Sequence, residues 1–361
     1  MRVVLLELQK IFNLKRMIVV TILCALLSFL FLEFHFRVFP NGSNIHSFQM
    51  TEQMIEEFGA ELDLYEFAII NERFVEDLAE FNTYFLNRTD VQGTNLNSVT
   101  ELWYNQDSAV VFELMNRLAF EDNNIDYWNL QVRYHFISDI ERLIEDGMFI
   151  DVQPIFDLQV FHNWVDIISW STLILVVTVL VIILPIFVSE RKSNMFQIQY
   201  TTKLGRELYG KKLIAVTLAS LIGTTLLVGS VVGLYFLMNQ TTTFFPNLIW
   251  TNWGESTLRY DMTFLNYILL TVGLTYVLGL IFAFIAFFIS RISSNHLTAL
   301  ALGIPLIVIF EMYLSNYLIR NVLSIWINGA MPILLYAGLI IITIAILFVQ
   351  GYREKRIDIL Y

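Results

Sequence analysis

Lysine is missing from most of this 361-residue chain: none occurs between Lys15 and Lys192, nor between Lys212 and Lys355. Cysteine is scarcer still. Cys24 stands alone inside an apolar block, so neither an intrachain disulfide nor a thiol-based metal site can form. The five histidines (His35, His46, His135, His162, His296) are scattered and include no HExxH pair, which argues against a catalytic metal. No Ser–His or Cys–His constellation stands out, and the chain is read as no enzyme by itself. Charge is thin overall: 15% of residues carry it and 56% are hydrophobic, whereas soluble domains carry about 25% charged residues. The net charge of −11 excludes nonspecific attraction to nucleic acid by the chain as a whole.

What is present is long apolar blocks. A bilayer core about 30 Å thick needs roughly 20 apolar helical residues, and six segments meet or approach that length: 17–36, 165–187, 213–237, 266–289, 297–314 and 331–351. The expected fold is therefore an all-α integral membrane protein with six transmembrane helices. The first block follows Lys10, Lys15 and Arg16, and no small-x-small cleavage site comes after it, so it reads as an uncleaved signal anchor. Pro185 predicts a kink near the end of the second span. The fifth contains Gly303 and Pro305 and meets Glu311, so it is expected to bend and give way to non-spanning helices over 311–328.

Basic residues set the orientation. With both termini inside, 14 of the 22 Lys and Arg, including every lysine, fall on the cytoplasmic side, and only arginines remain outside. Short loops rich in Lys and Arg stay inside. The expected location is a cell membrane, multi-pass, of the bacterial plasma membrane type, with the lipid bilayer as the chain's solvent. The apolar spans carry no mid-depth carboxylate: Glu33, Asp166 and Glu311 all lie near outer ends, which counts against a proton-coupled carrier.

Residues 37–164 form one insertion between the first two spans, long enough for its own core and mainly helical by pattern. From Met54, Phe58, Leu62, Tyr65 and Ile69 recur at helical spacing through a stretch ending near Leu86. Further helices are expected over about 108–120 and 128–144. This extracellular domain is acidic, with 23 Asp and Glu against 6 Arg, a net of −17. The bland reading is solubility; the sharper one is a field that gathers a cationic substrate. Sequons occur at Asn41, Asn87 and Asn239.

The most informative stretch is Ser189–Val216, SERKSNMFQIQYTTKLGRELYGKKLIAV. A mere connection could be a few residues long. Lys and Arg here would anchor to anionic headgroups in any case. The alternative is a coupling helix docked into a soluble partner: Met195 and Phe196 fill a groove, and Glu190, Arg191, Lys203 and Arg206 fix the register. Gly205 to Lys211 matches P-loop spacing, but Lys212 replaces the required Ser or Thr and no strand precedes it.

Glu190 directly after the second span, the turn Thr202-Lys203-x-Gly205-Arg206, and Lys212 opening the third span resemble the type 2 ABC transporter permeases, the membrane halves of drug, antibiotic, peptide and polysaccharide exporters. MRVVLLELQKIFNLKRM is similar to that family's amphipathic elbow helix, and GYREKRI to its C-terminal end. The resemblance covers all six spans and their connections but not the outer domain, and the chain divides into an elbow at 1–16, first span 17–36, extracytoplasmic domain 37–164, second span 165–187, coupling loop 188–212, spans three to six over 213–351, and tail 352–361. Re-entrant helices fit 311–328, with Glu311 and Arg320 facing water or each other; the alternative is an interfacial helix. It further implies ABC ATPase subunits as partners, with ATP and magnesium held there and no cofactor in this chain, and a second permease chain, identical or related, to complete a dimer. The expected substrate is a peptide, peptide antibiotic or other amphiphile. The rival function is a membrane sensor or immunity protein whose outer domain binds a ligand and signals through a cytoplasmic partner.

Overall fold

The computed structural model describes residues 2–41, 44–92, 94–104, 109–121, 125–147, 152–193, 207–249 and 258–356. These residues are helical almost throughout. In chain order the helices are α1 (Arg2–Ile11), α2 (Leu14–Phe31), α3 (Glu33–Arg37), α4 (Asn44–Phe58), α5 (Leu64–Leu86), α6 (Thr100–Tyr104), α7 (Ala109–Asn116), α8 (Ile125–Glu145), α9 (Leu158–Ile183), α10 (Pro185–Lys192), α11 (Leu208–Met238), α12 (Phe264–Ile292), α13 (His296–Ile309) and α14 (Ala330–Arg356). One small antiparallel ribbon pairs β1 (Glu61–Asp63) with β2 (Val152–Pro154), with Leu62 opposite Gln153. The chain divides into two compact units: Met1–Phe39, His162–Gln240 and Asn266–Tyr361 make the first, and Pro40–Phe161 with Thr241–Leu265 make the second.

The first unit holds six helices long and apolar enough to cross a membrane. They differ in how they bury their surface. In the span Leu158–Lys192, 83% of the most apolar window lies inside the protein, against 6% in Leu14–Phe31. The first of these is the hub, and α2, α13 and α14 turn apolar side chains such as Ile22, Ile304 and Ile341 outward. In lipid that outward face costs nothing, so hydroxyl and indole hydrogen bonds between helices help to fix the bundle. Trp164 Nε1 donates to Thr271 Oγ1 at 3.0 Å, Thr172 and Thr275 hydroxyls meet at 3.0 Å, and Ser220 Oγ donates to the Gly279 carbonyl at 3.0 Å.

Pro185 does break the second span: α9 stops at Ile183 and α10 restarts with Pro185 in its first turn, where a missing N–H is harmless. The first span departs from expectation. It begins at Leu14 and ends at Phe31, and the chain turns at Leu32 before α3. Asn13 caps its start by accepting from Lys15 N at 3.0 Å, which places the boundary ahead of Lys15 and Arg16. After α13 the backbone is π-helical over Phe310–Leu314 and again over Asn316–Arg320.

In the second unit the stretch from Met54 is not one helix. Gly59 takes φ +94°, open to a residue without a side chain. The strand Glu61–Asp63 follows. Asp63 and Glu66 then form a reciprocal capping box that starts α5 afresh. The expected apolar register fails for the same reason: Tyr65 is 75% exposed, and the buried stripe is Phe67, Ile70, Phe74, Phe81 and Phe85. Asp63→Ala should destabilise this unit by about 1 kcal/mol, read as a lower denaturation midpoint. The helix expected near 108–120 ends at Asn116 and continues as a π turn, Arg117–Glu121.

Residues 241–265 belong to the second unit too. Asn247 Nδ2 donates to the Ile155 carbonyl at 2.6 Å, and the Phe244 ring lies 5.4 Å from Phe48 and 5.8 Å from Phe156. In the first unit, Asn239 is 2% exposed, with its amide nitrogen donating to Asn163 Oδ1 at 2.8 Å. That sequon cannot accept a glycan in the folded chain.

Candidate functional site

The charges that α1, α10 and α11 bring to one end of the first unit form a buried ion cluster. In α1 the buried face is Val4, Glu7 and Ile11, spaced three and four apart, so a carboxylate sits in the apolar stripe of an amphipathic helix. In α11 the buried face begins Tyr209, Lys212, Ala215 and Val216, which points an ammonium inward in the same way. These two groups meet. Lys212 Nζ donates to Glu7 Oε2 at 3.0 Å and to Glu190 Oε1 at 2.5 Å. Lys10 closes the fourth corner, reaching Glu7 Oε1 at 2.7 Å and Glu190 Oε1 at 3.2 Å.

Two carboxylates and two ammonium groups therefore sum to zero charge. The Lys212 side chain is 2% exposed, Glu7 5% and Glu190 7%, whereas Lys10 keeps 47%. Half-burial of Lys10 opposes its charge, but the hydrogen bonds and fields of Glu7 and Glu190 outweigh it and hold the ammonium above the ordinary lysine range. A buried ion pair recovers its desolvation cost only when such bonds are complete.

Phe187 separates this cluster from a second. Its ring lies 5.4 Å from Lys212 Nζ and 5.6 Å from the Arg291 guanidinium. Arg291 forks onto Glu354, with Nε to Oε1 at 2.5 Å and Nη2 to Oε2 at 3.1 Å, and Gln350 also donates to Glu354 at 2.7 Å. Arg191 donates to the carbonyls of Ser293, at 2.6 Å, and Arg291. Five helices are thereby tied at one end: α1, α10, α11, α12 and α14.

Of the residues the sequence singled out, Glu190 and Arg191 lie in this network, as does Lys212. Met195, Phe196, Thr202, Lys203, Gly205 and Arg206 lie outside the described residues. Gly210 and Lys211, the end of the P-loop-like run, lie in the first turn of helix α11. Glu311 and Arg320 approach each other at 3.9 Å, and the Arg320 guanidinium lies 5.1 Å from the Trp170 ring. Sequence reasoning missed Glu7, Arg291 and Glu354 as network members. The usable signal was a charged residue on the apolar face of the amphipathic helix α1, at Glu7; α11 is apolar all round, so Lys212 carried no such signal. Among the described residues no group of three or more His, Cys, Asp and Glu side chains gathers as a metal site.

No family model, curated protein or solved structure matches this chain.

Proposed function

We propose that this chain is the membrane-spanning permease subunit of an ATP-driven exporter of the type 2 ABC kind, acting with a separate ATPase and a second permease chain. The observation that carries the reading is the bond between Glu190 and Lys212, which lie 22 residues apart. It joins the two roots of the segment 191–211 to each other, and α1 holds both, Glu7 accepting from Lys212 and Lys10 donating to Glu190. A push or pull on that segment would reach the second span, the third span and α1 together. A loose linker would absorb the same displacement. Coupling of this kind needs an element with two arrangements biased by a partner, and the nucleotide cycle of the ATPase would supply the bias.

The basic composition of the segment supports a cytosolic position, and six apolar helices supply half of a two-fold path. The substrate class that fits an acidic domain of net charge −17 is a cationic peptide or amphiphile. Purification of the full chain from its native membrane tests the proposal. An ATPase at one copy per permease is the expected companion, and Glu190→Ala should leave that ATPase bound while lowering transport. A copurifying kinase with no ATPase would replace export by sensing. Labelling of an engineered cysteine at Gln197 by an impermeant reagent added outside intact cells would remove the basis of both.

A further inference from the structure

In the second unit, α5 and α8 border a cavity of about 450 Å³, within the range of roughly 300–1,000 Å³ that small-ligand sites occupy. Asp77, Glu80, Phe81 and Tyr84 line it from α5, spaced three and four apart on one stripe of the helix, and Leu130 and Arg133 line it from α8. Phe81 and Leu130 are 6% and 4% exposed, so the cavity has a buried apolar floor. The Tyr84 ring stands 5.5 Å from that of Phe81 and is held by Arg88, which donates to its hydroxyl at 3.1 Å.

The charges around this floor do not cancel. Arg133 Nη1 donates to Asp77 Oδ2 at 2.6 Å, which ties α5 to α8 and neutralises both groups. Glu80, on the same stripe of α5, is exposed and pairs with no cation among the described residues. No lysine of the unit could swing onto it, since none occurs between Lys15 and Lys192 or between Lys212 and Lys355. The cavity therefore keeps one net negative charge beside aromatic and aliphatic carbon. On a flat helix face water alone would satisfy the carboxylate; here a ligand gains from burying its own carbon as well as from meeting the charge. A long basic side chain matches both features, because its methylene stem packs on apolar surface while its head stays with the charge. Aromatic ring faces favour a cation too. An anion would meet the field of a domain with 23 Asp and Glu against 6 Arg.

We infer that this cavity binds a lysine or arginine side chain of a cationic peptide, with Glu80 holding the charged head and Phe81, Tyr84 and Leu130 the stem. Binding stands on the cavity alone; its place as the first station of an exported substrate rests on the export reading.

Isothermal titration of the full chain in a neutral detergent with the acetylated tripeptide amide Lys-Leu-Lys tests it. Wild type should bind with a Kd that rises with ionic strength, and Glu80→Gln should raise Kd about tenfold. Glu72→Gln removes the same charge from the same helix outside the cavity and should leave Kd within about twofold. Arg133→Gln frees the Asp77 carboxylate and should lower Kd about fivefold. Equal losses in Glu80→Gln and Glu72→Gln would overturn the site and leave only the diffuse field of the unit. An unchanged Kd in Glu80→Gln would overturn it as well, and weaker binding by folded Arg133→Gln would overturn the assignment of a cation. Copurification reads the export proposal separately. An ATPase companion without peptide binding would remove the cavity and keep export; peptide binding without an ATPase would keep the cavity and remove its place in transport.

Discussion

Lys212→Met should lower the stability of the first unit by about 3–5 kcal/mol, enough to reduce Tm by about 10 °C. The loss comes from what is left behind. Methionine fills most of the lysine volume, so packing changes little, but Glu7 and Glu190 then face each other with side chains only 5% and 7% exposed. Lys10 can still reach both, yet it is 47% exposed and hydrated, so it compensates in part. Lys10→Met should accordingly cost about 1 kcal/mol or less, as half-exposed pairs do. The contrast between the two lysines is the informative readout. Thermal unfolding of both variants in one detergent measures it, and equal small losses would show that the buried ammonium does not organise this end of the bundle. Adding Glu7→Gln to Lys212→Met should recover part of the loss, because one uncompensated charge disappears with it. Two contacting groups are expected to be non-additive in such a cycle.

The same cluster shows where a sequence stops informing. Apolar runs are legible because bilayer thickness sets one length scale and lipid imposes it on every span, so the six long helices of the first unit could be placed from hydropathy alone. Their ends were less legible. The start of the first span depends on Asn13 capping it, and its end on a turn at Leu32; neither leaves a composition signal. In the second unit the helical period was visible through α4 and α5, but the restart at Asp63 shifted the apolar face. Only the pairing of Asp63 with Glu66 could have announced it.

Glu190 was singled out by its position after a span. Lys212 was singled out as well, but the α1 carboxylate that meets it was not, since Glu7 and Lys212 are 205 residues apart in sequence and no local period links them. A charge on the apolar face of a helix is a sign that a partner exists. It does not name that partner. The inclusion of 241–265 in the second unit was equally hidden, because it rests on an amide bond to Ile155 and on aromatic contacts of Phe244 and Phe264, which no local pattern announces.

Gly279→Ile should be the most damaging single change within the apolar bundle, and Gly303→Ala one of the mildest at a close helix approach. A Cβ at Gly279 would stand 2.8 Å from Thr224 Oγ1 and 3.2 Å from Leu175 Cδ2, so two other helices close on it at once. Neither neighbour can retreat easily: Thr224 is 1% exposed and Leu175 0%. Separating α12 from α11 would also stretch the Ser220 hydrogen bond to the Gly279 carbonyl. Overpacking of this kind costs about 1–3 kcal/mol, and a branched side chain adds to the separation, so Gly279→Ile belongs at or above the upper end. At Gly303 the added Cβ meets only Leu184 Cδ1, at 2.9 Å, the far end of a flexible side chain that can rotate away. Close packing of small residues stabilises membrane helices because lipid offers no hydrophobic drive to hold them together. Thermal unfolding in detergent, with folded yield as a second readout, should rank wild type and Gly303→Ala together, Gly279→Ala lower, and Gly279→Ile last. If Gly279→Ile unfolded at the wild-type temperature, the three-helix contact at α9, α11 and α12 would not be the centre of the bundle.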